Sequence, residues 1–424
     1  MKIGHFSKEN NISIDTVRHY IDLGLILPDK TRGRYSFDEK CKSDLIQIMN
    51  LKNLDFTLNE IRTIFRYKRL GKMSPFQSNQ YYKSLYKDKN DEIKHKIQYY
   101  QGVKEKLDNE IELLDQNSSN DQIDKQMGIK LDSLSLFYCH LCQKHLKVMD
   151  GEIKNNQVLN GILQCNCGEK YYIKNGILCT SNTIDNMQSQ SQNKQVNKMI
   201  NDKLTQFINE TTPSILDHMY NELDWLRKKL NFDILKKNIV LELGSGYGLF
   251  LRHVYDLLPD NSTYIAIDHQ YKYQHLLKSM IETSHNKKNI IFICSDYLSI
   301  PIKHHSVDYL IDHLGTSNYS SNHEQFLIDE IKHYLKEYSY LLGSFTVFKS
   351  FHHNNMIREE LRSNFELTEI KKKLKSLKYK PIQEQISNEL AQPGEHEMQF
   401  SEEEKVFSYF YYGKRSEGEI KVKN

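Results

Sequence analysis

No apolar run in this 424-residue chain approaches the roughly 18 to 20 residues that a membrane-spanning helix requires. Its first residues lack the apolar core of a secretion signal. A soluble, cytoplasmic protein is expected, with no membrane partner. An excess of one charge is also missing. Lys and Arg number 58 against 55 Asp and Glu, a formal net charge of +3, so nucleic acid must be met by a local basic patch and not by a global field. Cysteine is too sparse and wrongly arranged for a disulfide scaffold. There are seven, an odd count, and four fall in two tight pairs, which suits a metal site in a reducing compartment. There is no internal repeat. The length exceeds what one ordinary core serves, so two or three domains are expected.

Two polar stretches read as linkers, Gln116 to Gln126 and the Ser/Asn/Gln-rich Ser181 to Gln195. They divide the chain into an N-terminal helical third (1–75, then a long helix over 76–116), a cysteine module (127–180) and a large C-terminal domain (196–424). Ser13 stands where an N-cap belongs, ahead of IDTVRHYI. Ser36 with Glu39 and Thr57 with Glu60 have capping-box spacing. Leu27 to Phe37, LPDKTRGRYSF, reads as a basic hairpin. Helix, turn, helix and hairpin make a winged helix-turn-helix pattern. From Phe76 to Gln116, Leu85, Ile93, Ile97, Tyr100, Leu107, Ile111 and Leu114 recur mostly at steps of three, four or seven. That narrow seam predicts a two-chain coiled coil.

Ile3–Asn11, Ser13–Ile21, Gly24–Pro28, Gly33–Glu39 and Phe56–Phe65, in this order, resemble the MerR regulator family over about the first 70 residues. On the recognition helix Ser13, Thr16, Arg18, His19 and Tyr20 are candidates for contact with DNA. Arg can fork onto guanine or phosphate, and hydroxyls can hold the backbone. Lys30, Arg32, Arg34 and Tyr35 make the hairpin a phosphate grip. The resemblance implies a homodimer formed through the long helix, on double-stranded promoter DNA that it distorts.

Cys139 and Cys142 stand opposite Cys165 and Cys167, and two thiolate pairs on two turns can complete a tetrahedral zinc shell. The second pair has a single intervening residue, so His140, His145 or Cys179 could replace one thiolate. Four thiolates would leave no open position, which makes a zinc there structural. The module resembles the small zinc folds attached to rRNA guanine methyltransferases.

Ile239 to Val254, IVLELGSGYGLFLRHV, carries a buried strand into Glu242, Gly244, Gly246 and Gly248 and then into a helix. Spacing of G-x-G-x-G after an acidic residue differs from the G-x-G-x-x-G of a dinucleotide site. A second strand ends in Asp268, suited to ribose hydroxyls. A third ends at Asp296 and Tyr297, suited to an adenine, and a fourth begins at Val307 and Asp308. Further strands are expected at Tyr340–Phe348 and Phe407–Arg415. In order and spacing, residues 215 to 415 resemble class I S-adenosylmethionine (SAM)-dependent methyltransferases, with Glu242, Gly244, Gly246, Gly248, Asp268, Asp296 and Tyr297 as the seven implied cofactor contacts. His304, His305, His313 and His323 lie near the expected active face, and none is assigned as a base. The stretch Asp312-His313-Leu314-Gly315 lacks the Pro-Pro-aromatic element that grips a flipped base, which disfavours DNA-base methylation.

The fold class expected is α plus α/β: a winged helix-turn-helix with a dimerisation helix, a small zinc knuckle, and a doubly wound Rossmann-like methyltransferase sheet. The expected function is a MerR-type regulator whose SAM-binding domain acts as sensor or effector. The alternative is an active methyltransferase of a small molecule or rRNA. Either reading leaves room for a small-molecule ligand or methyl acceptor.

Overall fold

The computed structural model describes all residues except 32, 119–125, 182–204, 285, 354, 391–403 and 417–424. Both expected linkers fall largely outside the described residues. The chain forms two compact units, Met1–Gln122 and Ile123–Asn424.

In the first unit α1 (Ile3–Glu9) and α2 (Ile14–Asp22) precede a hairpin of β1 (Asp29–Thr31) and β2 (Arg34–Ser36), paired antiparallel. Helices α3 (Glu39–Asn53), α4 (Leu58–Gly71) and α5 (Pro75–Ser118) follow. Ser13 caps α2 by accepting the Thr16 N–H, and Thr57 with Glu60 completes a capping box on α4. The Ser36–Glu39 box does not form. Ser36 is held in β2 opposite Asp29, and Asp38 caps α3 instead by accepting the Cys41 N–H. Phe6, Val17, Tyr20, Phe37, Leu45, Ile48, Ile61 and Phe65 form one core. Arg69 on α4 ties the helix-turn-helix to the hairpin's approach, donating to the Gly24 and Leu25 carbonyls at 2.6 Å each and pairing with Asp44 at 2.9 Å.

Helix α5 is 44 residues long, about 66 Å at 1.5 Å per residue. Leu85 packs on the core just described, whereas Ile97, Tyr100, Leu107, Ile111 and Leu114 are exposed. The predicted seam therefore exists as an apolar stripe that its own unit does not cover.

The second unit is built on one 12-stranded sheet. Its parallel centre comprises β8 (Ile239–Leu243), β9 (Thr263–Asp268), β10 (Ile290–Cys294), β11 (Val307–His313) and β12 (Leu335–Phe348). Strands β13 (Tyr379–Ile386) and β14 (Val406–Arg415) close one side antiparallel, in the order β13-β14-β12-β11-β8-β9-β10. The centre reads as near-continuous Ile, Leu and Val because both of its faces are covered. Alternate residues go to opposite faces: Leu241, Ile265 and Ile291 pack in one core, and Val240, Tyr264 and Phe292 in the other. Helices α6 (Pro213–Lys229), α7 (Leu249–Val254), α8 (Tyr271–Ile281), α9 (Gly315–Ser320) and α10 (Leu367–Ser376) accompany this sheet.

The cysteine module continues the same sheet. Its strand β7 (Ile177–Thr180) pairs parallel with β10, and β6 (Lys170–Lys174), β5 (Gln157–Gln164), β4 (Lys147–Lys154) and β3 (Ile129–Lys130) follow antiparallel. Phe137, Cys139, Cys165 and Tyr171 share a core with Leu241 and Ile265. Sheet and core are thus continuous across the division that the sequence suggested.

Candidate functional site

The strand order reverses around β8, whose neighbours are β9 and β11. Ligands of open α/β sheets bind outside the carboxyl ends of strands at such a switch point. There the chain turns through Gly244, Gly246 and Gly248, all left-handed at φ 63°, 48° and 73°. A Cβ on Gly248 would lie 2.0 Å from Leu277, and one on Gly244 would lie 2.9 Å from the Tyr297 hydroxyl. At Gly246 the nearest atom would be 3.8 Å away, so this glycine faces open space. The Ser245 N–H donates to the Ile267 carbonyl at 2.9 Å, and fully buried Gln274 donates to the Ser245 Oγ at 2.9 Å. The turn is therefore fixed before any ligand arrives.

Asp268, at the end of β9, accepts the Gly246 N–H at 3.1 Å and the Gln270 N–H at 2.8 Å. Its burial pushes the carboxyl pKa up, partly offset by those backbone donors. Tyr297 brings its hydroxyl beside the turn, and burial raises its pKa. Asp296 is exposed and caps the next turn by accepting the Leu298 N–H at 2.8 Å. Glu242 is only 2% exposed and accepts the Tyr264 hydroxyl at 3.0 Å, inside the strand layer. Of the seven candidates, the structure brings Gly244, Gly246, Asp268 and Tyr297 together, with Gly248 packed behind them on Leu277. Asp296 stands at the rim, and Glu242 lies beneath.

Sequence reasoning assigned no role to several neighbours. Asp312, buried near the end of β11, accepts the Thr316 N–H at 2.9 Å and the Thr316 hydroxyl; burial pushes its carboxyl up to about 6. His313 places Nε2 3.4 Å from a carboxylate oxygen of Glu222 on α6. The other oxygen of Glu222 accepts the Ser408 hydroxyl at 3.3 Å and stands 3.8 Å from His218. Burial lowers the pKa of both histidines. The spacing of His218 and Glu222, one helical turn apart, was legible, but their meeting with β11 was not. The remaining histidines lie elsewhere: His304 and His305 precede β11 at its amino end, and His323 stacks on Tyr319 at 3.9 Å. Asp308 also belongs to that amino end, accepting the Ile239 N–H at 3.0 Å and pairing with Lys336 at 2.6 Å.

The four predicted cysteines do converge. The Sγ atoms of Cys139, Cys142, Cys165 and Cys167 all lie within 4.8 Å of one another, with Cys139–Cys167 at 3.6 Å and Cys142–Cys165 at 3.3 Å. Gly168, left-handed at φ 99°, permits the tight Cys165–Gly168 turn despite the single intervening residue. The alternatives are engaged elsewhere. His140 Nδ1 meets the Tyr171 hydroxyl at 2.7 Å, His145 packs edge-on to Tyr138, and Cys179 faces Cys294 in the next strand.

In the first unit Arg18, His19, Lys30 and Arg34 are exposed, and Thr16 and Tyr35 are half-buried. Lys30 lies over the Tyr35 ring at 5.3 Å, and Arg18 pairs with Asp15 at 3.3 Å. Ser13 spends its hydroxyl on the helix cap and on Thr16 Oγ1 at 2.8 Å. Tyr20 does not join the candidate surface. It is 2% exposed because it sits on the face of α2 that packs on the core. Arg32 lies outside the described residues.

The profile of the MerR HTH family regulatory proteins matches residues 1–68. An HTH-type transcriptional regulator, a ZntR homolog of Haemophilus influenzae, is 31% identical over 124 residues, covering 29% of this chain and 87% of that protein. The chain belongs to the MerR family. The crystal structure of a SAM-dependent methyltransferase from Aquifex aeolicus covers 53% of this chain and 99% of its own, at 15% identity and a TM-score of 0.32. The crystal structure of MccD protein covers 46% of this chain and 96% of its own, at 10% identity and a TM-score of 0.37. The strand order and antiparallel close of the sheet are those of the methyltransferase-like fold expected from the sequence. This MerR protein is thus a regulator-type helix-turn-helix joined in one chain to a methyltransferase-like domain.

Proposed function

We propose that the chain is a promoter-binding homodimer whose second unit binds SAM and acts as sensor or effector of transcription. The observation that carries this reading is the preformed glycine turn at the switch point. It has open space in front of Gly246, a carboxylate at Asp268 for ribose hydroxyls and a tyrosine ring at Tyr297 for adenine. The G-x-G-x-G spacing of this turn differs from the G-x-G-x-x-G turn that seats a pyrophosphate, which supports SAM over a dinucleotide. The exposed stripe on α5 supports pairing through that helix. The exposed cations of α2 and of the hairpin support phosphate contact.

Four thiolates 3.3 to 3.6 Å apart in their closest pairs fit a tetrahedral zinc shell, whose edges are about 3.8 Å for Zn–S bonds of ~2.3 Å. Cys139, Cys142, Cys165 and Cys167 would hold the ion as a structural brace of the sheet extension. Tyr171, donating toward the Cys139 sulfur at 3.5 Å, would orient that ligand. With no membrane-crossing helix among the described residues and free thiols throughout, the reading is of a cytoplasmic protein.

One observation favours an active enzyme as a second reading. His313 is at the carboxyl end of β11, and its imidazole is backed by a buried carboxylate, an arrangement that can orient a base. Calorimetry with SAM and with its demethylated product tests the shared premise. Both should bind the intact protein, and Gly246→Arg should abolish binding by filling the open space. Normal affinity in that variant refutes the cofactor site. Transfer of a labelled methyl group to RNA or to a metabolite pool separates enzyme from sensor.

A further inference from the structure

At the β13 edge of the sheet a second cleft lies between α10 and the β13–β14 pair. Strands β12 and β11 separate that pair from β8 and its glycine turn, so this cleft is no part of the switch-point site. It encloses about 590 Å³, within the ~300–1,000 Å³ range of small-molecule sites. Lys371, Lys375, Lys378 and Lys380 line it, with Glu384 as the one acidic group among its lining residues. That carboxylate is already engaged: Lys371 donates to it at 2.8 Å, the Tyr409 hydroxyl at 2.5 Å, and the lysine holds its pKa below the usual range.

Lys375, Lys378 and Lys380 are exposed and make no ion pair among the described residues. Three like charges held on one rim repel one another, an arrangement relieved by an anion. Lys378 stands just after α10 in the left-handed conformation, at φ 66°. The walls behind the lysines are Leu374, Pro381 and the rings of Tyr379, Tyr409 and Tyr411. Tyr411 is 3% exposed, and its hydroxyl is buried with no hydrogen-bond partner.

We propose that this cleft binds a phosphorylated ligand, the phosphate on the lysine rim and an apolar or aromatic body against the tyrosines. The phosphate is either that of a small phosphate monoester or one in a nucleic-acid strand, and the two sources are separable. The site is independent of SAM binding.

Calorimetry on the full-length protein at low salt would use phenyl phosphate, inorganic phosphate and a short single-stranded RNA, each against wild type and the triple variant K375Q/K378Q/K380Q. These side chains are exposed, so the variant should fold, and unchanged melting checks this. Phenyl phosphate should bind more tightly than inorganic phosphate, and the variant should lose at least about tenfold, the loss shrinking as salt rises. If only RNA binding falls in the variant, the phosphate comes from a strand. Equal affinities of variant and wild type for all three probes, or no uptake of any of them by wild type at millimolar concentration, would overturn the site.

Discussion

Replacing Glu242 with Gln should make the protein more stable at neutral pH and change little in acid. Glu242 is buried in β8, and that burial pushes its carboxyl from 4.5 up to about 8, opposed by the Tyr264 hydroxyl and reinforced by Asp268. The folded state therefore keeps the proton while the unfolded chain releases it. Stability from this group is complete below about pH 4.5 and declines as pH rises, levelling off above about 8. Between pH 5 and 7.5 the wild type should lose about 3 kcal/mol on this account, at ~1.4 kcal/mol per pH unit over some 2.5 units. Gln is neutral, of the same shape, and its amide oxygen can still accept from Tyr264. Denaturant unfolding of both proteins at pH 5 and 7.5, followed by the fluorescence of Trp225, the single tryptophan, in the second unit, measures the difference. The advantage of the variant should grow by about 3 kcal/mol across that range. A difference independent of pH would show that the carboxyl is not held neutral and would refute the reasoning.

Gly248→Ala should cost about 2–4 kcal/mol, because its Cβ would meet Leu277 at 2.0 Å in a left-handed backbone, whereas Gly246→Ala should cost only the ~1 kcal/mol of that backbone; paired melting curves would tell them apart. Arg18→Ala and Arg34→Ala should each weaken promoter binding and flatten its salt dependence by about one phosphate contact, with SAM affinity unchanged; gel-shift titration at several salt concentrations checks both. Metal analysis should find about one zinc per chain. Its removal by a strong chelator should lower the melting temperature of the second unit, whose core the cysteine turns share, and Cys142→Ser should mimic that loss. Ile111→Asp, on the exposed stripe of α5, should convert a dimer to a monomer by light scattering while leaving the helical signal of the first unit in place.

Much of this architecture was readable along the chain because its signals are local. Ser13 and Thr57 cap helices through atoms three residues away, and the hairpin at 29–36 follows from its own turn residues. The seam on α5, the glycine spacing and the two cysteine pairs are likewise short-range patterns. Ser36 was misread for the same reason. Its spacing to Glu39 was right, but hairpin pairing claimed it and Asp38 took the cap. Tyr20 followed the pattern of its neighbours Arg18 and His19, yet the helical repeat turns it inward.

What the sequence determined by itself was the helices of the first unit, most strands of the central sheet, the MerR-type head, and the residue types able to hold a metal or a nucleoside. Tertiary structure alone decided which of them meet. It fused the cysteine module to the main sheet through β7 and β10, drew Glu222 against His313 and Ser408 across 91 and 186 positions, and set four lysines around a tyrosine-walled cleft. Pairings of that kind depend on strand order and on which face of a helix is covered, neither of which is encoded in any short stretch of chain.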